Sequence, residues 1–296
     1  MVEDQSICPQ SNFMINHKNI FFSNQKWHTR DDLVNAMIKV GANDCNILYV
    51  HFGFSFGMPN PDLPRSVIIN EFYEALLELG VQTICMPTFT FSFCNAQDYH
   101  VEKSKSSMGV LNEYFRNRPE SIRSCDPLMS SAVIGQDKDL VLNFEGESVG
   151  RGSTFDRIFH KNKVKFLFMG TCLPDCFTYM HYLEWRAKVP YRYNRSFEGN
   201  VTCEDKMQEK EATLFVRYNN VKPNILTTIE YGEKLKKMGF LKEFPLGQSS
   251  ISCVEKDIAT DVYLDILSKD VNYFVCDKFS ELDADKRFFA NNMVAL

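Results

Sequence analysis

The sequence predicts an α/β fold in which helices pack on a parallel or mixed sheet. Three observations carry that expectation. Apolar runs of strand length recur: NILYV (46–50), TICMPTFTF (83–91) and VKFLFM (164–169). A segment of helical character, 65–79, separates the first two. Gly- and Pro-rich loops follow the strands, where α/β folds place their ligands.

The elements can be justified in order. A helix is expected over 31–40. Thr29 can cap it, Asp31 and Asp32 suit the positive end of its dipole, and Gly41 can stop it. Leu33, Met37 and Val40 recur at helical spacing. The strand 46–50 runs into HFGFSFGMPNPDLPRS (51–66), a loop by composition. The helix 65–79 ends at Gly80, and 83–91 reads as a second strand and its exit. Both strand exits, 51–57 and 88–93, are ligand positions in such a sheet. After the strand 164–169 comes a turn-rich stretch, GTCLPDC, and then one helix beginning with CFTYMHYLEW (176–185). The chain turns polar over about 191–218, where ATLFVRY reads as a strand. EDKMQEKEA (204–212) reads as a solvated face or a hairpin. Helices near 229–238 and 255–267 close the pattern. No repeat or low-complexity linker interrupts it. The expectation is one domain over 1–296 with a β-rich segment around 191–220.

Composition narrows the class. With 296 residues, 44% of them hydrophobic, the chain can bury a sizeable core. Its 25 Phe exceed ordinary usage, and some can line an apolar pocket. A net charge of -5 leaves no basic footprint for nucleic acid and no attraction to anionic lipid. No apolar run approaches the roughly 20 residues of a membrane span. MVEDQSICPQ lacks the basic start and apolar stretch of a signal peptide. Ten Cys are scattered without the spacing of a disulfide scaffold, so the expectation is a cytoplasmic protein with reduced thiols.

His181 and Glu184 are three residues apart, so a helix places them on one face. The carboxylate can hold the imidazole in one tautomer, which suits a general base near neutral pH. The same spacing also occurs where two side chains only satisfy each other. Cys172 and Cys176 allow a thiolate nucleophile near a His, yet Cys is often buried and inert. C-x3-C and H-x-x-E fit zinc poorly, so no metal is expected. HFGFSFG can let backbone N–H groups approach a phosphate or be an ordinary tight loop. His51 reads as structural. RSCDPLMSSAVIG (123–135) can anchor a ligand or hold itself by Asx and Ser turns. GRGSTFDRI (150–158) opens a helix whose start can receive an anion, or whose Ser153 is a plain cap.

Five of these motifs, in this order, resemble the aminoglycoside 3-N-acetyltransferase family, also called the antibiotic N-acetyltransferase family. They are VHFGFS, MPTFT, RSCDPLMS, GRGSTFD and TYMHYLE. The resemblance is clear over roughly 27–200 and looser beyond. It implies a three-layer α/β/α fold around a central mixed sheet. It implies direct acyl transfer from acetyl-CoA, or another acyl-CoA, to an amine, with no metal. His181 is then the base and Glu184 its support. Gly53, Phe54, Ser55 and Thr88, with Ser153, are the coenzyme candidates. Thr90, Arg123 and Thr178 are the acceptor candidates. The chemistry agrees. A protonated amine has no lone pair to attack a thioester, so a base must take its proton.

The sequence also departs from drug-modifying members. Asp126 stands where they carry His before Pro, which makes it a candidate to contact the acceptor or orient His181. HFGF replaces H-S-S-L. The VPYRY segment (189–193) resembles the surface-polysaccharide branch, which implies a nucleotide-linked amino sugar as acceptor. The rivals are an aminoglycoside resistance enzyme, a Cys-dependent hydrolase or transferase, and a binding protein that kept the fold without the activity. The expected partners are an amino-sugar acceptor and an acyl-CoA, with assembly into a homo-oligomer left open.

Overall fold

The computed structural model describes residues 18–280. The N-terminal decapeptide, with Cys8, lies outside the described residues. A seven-stranded sheet forms the centre. Its strand order is Lys242–Leu246, Ser249–Glu255, Val164–Met169, Ile47–Phe52, Thr83–Pro87, Ser131–Gly135 and Ile122–Arg123. Ile47–Phe52 pairs in parallel with both Thr83–Pro87 and Val164–Met169. The outer pairings are antiparallel. The sheet is therefore mixed, as expected.

Alternation along the strands shows why helices must cover both faces. Leu48 and Val50 enter one core with Leu167 and Met169. Tyr49 enters the other with Phe166 and Phe168. Successive strand side chains point to opposite faces, so a strand apolar at every position needs two apolar layers. Arg30–Lys39, Arg65–Leu77 and Val110–Arg116 supply the first layer through Leu33, Phe72 and Phe115. Thr154–His160, Met180–Arg186, Ile225–Lys237 and Lys256–Lys269 supply the second through Ile158, Leu183, Leu235 and Tyr263. Each fully buried side chain of this size stabilises the fold by about 1.5–3 kcal/mol.

Thr29 precedes the first helix as expected, and its backbone N–H donates to Asp32 Oδ2 at 2.9 Å. Gly41 ends it at φ 76°. Within the 83–91 run the strand is Thr83–Pro87, and beyond it the Thr88 N–H still donates to Ser130 O at 2.7 Å. The single helix expected from Cys176 is instead two short helices, Leu173–Cys176 and Met180–Arg186. Phe177 breaks them apart at ψ 71°, and its ring packs edge-on against Phe166 at 4.9 Å. Burial of that ring outweighs helix continuity.

The polar 191–220 segment is a hairpin. Arg192–Cys203 pairs with Lys206–Arg217 through a two-residue turn. Glu204 and Asp205 both take positive φ, as a tight turn between twisted strands requires. Its proximal half is buried at Ala212, Leu214 and Val216, and residues 206–209 are exposed. Among the described residues no helix is long and apolar enough to cross a membrane.

Candidate active site

The carboxyl ends of the two parallel neighbours meet at glycines. The Gly53 N–H donates to Met169 O at 2.8 Å. Gly170 has φ 64°, and a Cβ there would overlap Gly53 O. Only glycine allows this approach. It carries the chain directly from Val164–Met169 into the two short helices that bear His181.

Met180–Arg186 presents His181 and Glu184 on one face, both buried. The Glu184 carboxylate is crowded by donors. The Tyr191 hydroxyl donates to Oε1 at 2.8 Å, and Arg192 Nε lies 2.8 Å from Oε2. His181 Nδ1 is 3.4 Å from the same Oε2. Arg192, the first residue of the hairpin, donates through Nη1 to Phe215 O at 3.0 Å. Its Nη2 lies 2.9 Å from His181 Nδ1.

Burial pushes His181 below its ordinary pKa, and the Arg192 charge pushes the same way, against the pull of Glu184. The imidazole is therefore neutral near pH 7. Burial alone would raise Glu184. The Arg192 charge, the contact with His181 and the Tyr191 hydrogen bond overcome it and hold the carboxyl well below its usual range.

A cavity of about 370 Å³ adjoins this cluster, lined by Asp175, Thr178, His181, Glu184, Arg192 and Arg217 among others. A second, of about 190 Å³, is lined by His51, Phe52, Pro87 and Phe89 and shares Asp175, Cys176 and Thr178 with the first. The 175–178 turn thus separates the parallel strand exits from the His181 cavity. Thr178 Oγ1 and His51 Nε2 are buried without a hydrogen-bond partner among the described residues. Such atoms are costly unless something satisfies them.

The remaining sequence-predicted residues lie elsewhere. The Ser55 hydroxyl ties its loop to Gly170 O at 2.5 Å and to Ser249 Oγ at 3.1 Å. Phe54 packs edge-on against Phe72. Thr88 is fully buried and donates to Ser130. The Arg123 guanidinium donates to Thr88 Oγ1, Thr88 O, Val101 O and Ser104 O, which fastens the 101–104 turn to the strand exit. Thr90 donates to Pro127 O. Ser153 caps Thr154–His160 by accepting from the Asp156 N–H at 3.2 Å. Asp126 Oδ1 accepts from the Leu128 and Met129 N–H groups and from the Ser148 hydroxyl. Its placement is that of an Asx turn within its own loop, and it lines neither of the two cavities. Of the candidates, the structure brings together His181, Glu184 and Thr178.

Sequence reasoning missed Tyr191, Arg192 and Arg217. The available signal for the first two was VPYRY, where a charged residue stands between two tyrosines at the start of a strand. His51, read as structural, stacks on Phe168 with ring centroids 5.2 Å apart, while its Nε2 stands unpartnered among the described residues beside the smaller cavity. Burial, helped by Asp175, pushes the Cys172 thiol up to about 11, and burial pushes Cys176 up to about 12. Neither holds much thiolate at neutral pH, which weighs against a cysteine nucleophile. Among the described residues no group of three His, Cys, Asp or Glu side chains is placed to hold a metal ion.

The comparisons with known proteins follow the same direction. The family model of aminoglycoside 3-N-acetyltransferase matches residues 66–268. No curated protein matches the chain. Among solved structures, aminoglycoside acetyltransferase AAC(3)-IVa, as apoenzyme, is 19% identical, with 83% of this chain and 90% of that one covered at TM-score 0.64. AAC-IIIb in a binary complex with CoASH is 17% identical, with 85% and 99% covered at TM-score 0.68. YokD from Bacillus subtilis is 17% identical, with 83% and 95% covered at TM-score 0.66. These likenesses establish the three-layer fold, and the family model spans more than half of the sequence. The chain belongs to the aminoglycoside 3-N-acetyltransferase family, a family of acyl-CoA-dependent N-acyltransferases.

Proposed function

We propose that this protein is a single-domain, cytoplasmic N-acyltransferase. It moves an acetyl or larger acyl group from acyl-CoA to the amine of an amino sugar, in one direct step. The observation that carries this reading is a buried, neutral His181 beside an ionised Glu184, on the wall of a cavity of about 370 Å³. A neutral imidazole can accept the proton that an ammonium must lose before its nitrogen attacks. Bound acyl-CoA supplies the acyl group as an activated thioester. AAC-IIIb binds CoASH, and a cavity of about 190 Å³ opens at the parallel strand exits here. The unpartnered Thr178 Oγ1 and His51 Nε2 are the buried polar atoms that a bound acyl or acceptor group would satisfy. The 53–55 loop would flank the coenzyme, and Thr88, Ser153, Asp126 and Arg123 would keep the neighbouring loops in shape.

The acceptor is proposed to be nucleotide-linked and destined for surface polysaccharide. Arg192 and Arg217 line the cavity with Glu184 and Asp175. That balance of two cations and two carboxylates is not the acidic wall a polycation would favour. An aminoglycoside acceptor is the second reading, favoured by the family model itself.

Thiol release from acetyl-CoA, measured with purified protein against nucleotide-linked amino sugars and aminoglycosides, separates the two. Turnover of the first class alone supports the proposal, and turnover of aminoglycosides alone overturns the acceptor assignment. His181→Ala should lower kcat by about 10²–10⁴ with the fold retained. Unchanged turnover would remove His181 from the mechanism.

A further inference from the structure

The contact between Arg192 and His181 has a chemical consequence. A guanidinium carries only donors and stays protonated at any working pH. Arg192 Nη2 lies 2.9 Å from His181 Nδ1. Nδ1 must therefore be the acceptor, with its lone pair facing Arg192. In a neutral imidazole the single proton then sits on Nε2. Glu184 Oε2 also lies within reach of Nδ1, at 3.4 Å, but the guanidinium Nη2 is nearer, at 2.9 Å, and takes the contact. The charged groups around the ring are Glu184 from its own helix, and Arg192 and Arg217 from the hairpin.

A base needs the opposite arrangement. Its free lone pair must face the cavity, and its proton must sit on the nitrogen that the carboxylate supports. We propose that Arg192 is a positioning residue that holds His181 in the tautomer protonated at Nε2. Withdrawal of its guanidinium from Nδ1 is the step that turns His181 into a base. The proton balance is simple. Nε2 gives its proton to solvent water, Nδ1 takes one from water, and the new Nδ1–H donates to Glu184. Nothing is oxidised or reduced, and the net charge of the ring is unchanged. The Nε2 lone pair is then available to the acceptor ammonium. Arg217, directly opposite Arg192 on the paired strand, carries a like charge that works against holding the guanidinium in place.

This inference rests on the base reading of His181, but its test does not. The full chain, labelled with ¹⁵N-histidine, is read by long-range proton–nitrogen NMR, and the His181 signal is assigned by its loss in His181→Ala. The wild-type protein without substrate should show His181 as the Nε2–H tautomer. Arg192→Met removes the donor and should reverse the tautomer ratio toward Nδ1–H by about ten- to a hundredfold, as expected for loss of one hydrogen bond to a charged group. Far-UV circular dichroism checks that the variant folds, and if it does not, the wild-type spectrum decides alone. A wild-type Nδ1–H tautomer, or a folded Arg192→Met with an unchanged ratio, overturns the inference. Turnover retained by His181→Ala would overturn the base reading and leave the tautomer result intact.

Discussion

Acidification should destabilise this protein through His51, and the size of the effect can be worked from its surroundings. The ring is buried at the end of Ile47–Phe52, stacked on Phe168, with Nε2 unpartnered. Burial alone pushes its pKa down from 6.5 to about 3. Between those values the unfolded chain binds a proton that the folded chain refuses. Stability is therefore complete above pH 6.5 and falls as pH drops toward 3. The slope is roughly 1.4 kcal/mol per pH unit, so the loss from this residue is about 2 kcal/mol at about pH 5. His51→Phe keeps a planar ring against Phe168 and removes the titration. Urea unfolding of both proteins at about pH 8 and about pH 5 gives a double difference that cancels the other titrating groups. The variant should lose about 2 kcal/mol less than wild type. Identical losses in the two proteins would refute the reasoning, because His51 would then bind its proton equally well folded or unfolded.

Three further expectations follow from other contacts. Glu184→Gln leaves Arg192 without its counter-ion and should destabilise the fold by about 3–5 kcal/mol, read as a lower urea midpoint. A midpoint within error of wild type would show that the pair is solvated. Cys125 and Cys203 place their Sγ atoms 3.0 Å apart, linking the 122–131 loop to the hairpin tip. Mild peroxide treatment should close a disulfide between them, with two hydrogens lost in the intact mass and both thiols protected from alkylation. Full alkylation after peroxide, the same as in Cys125→Ser at its remaining thiol, would count against it. Gly170→Ala, at φ 64° against Gly53 O, should cost at least about 1–3 kcal/mol in the same urea assay. A neutral substitution would mean that the two loops can part freely.

Local pattern carried much of this fold. VKFLFM is a strand at the boundaries read from it, and Leu33, Met37 and Gly41 lie where helical spacing and helix termination place them. These features depend on near neighbours and on which faces must be buried. The same holds for His181 and Glu184, whose shared face follows from three residues of separation on a helix. The break at Phe177 was not legible, because it depends on a ring finding Phe166 on a strand. Nor was the hairpin's first strand, Arg192–Cys203, whose polar residues lack strict alternation.

By itself, then, the sequence determined the order of strands and helices, the loops at the strand exits, the His181–Glu184 face and, through five ordered motifs, the family. Tertiary structure alone decided that Arg192 and Tyr191 close on Glu184, that Arg123 and Asp126 serve their own loops, and which imidazole nitrogen faces a cation. Those outcomes depend on distances between segments that are separate in the chain. A hydrogen bond or an ion pair exists only within about 3–4 Å, and no spacing along a sequence reports whether a strand start and a helix face come that close.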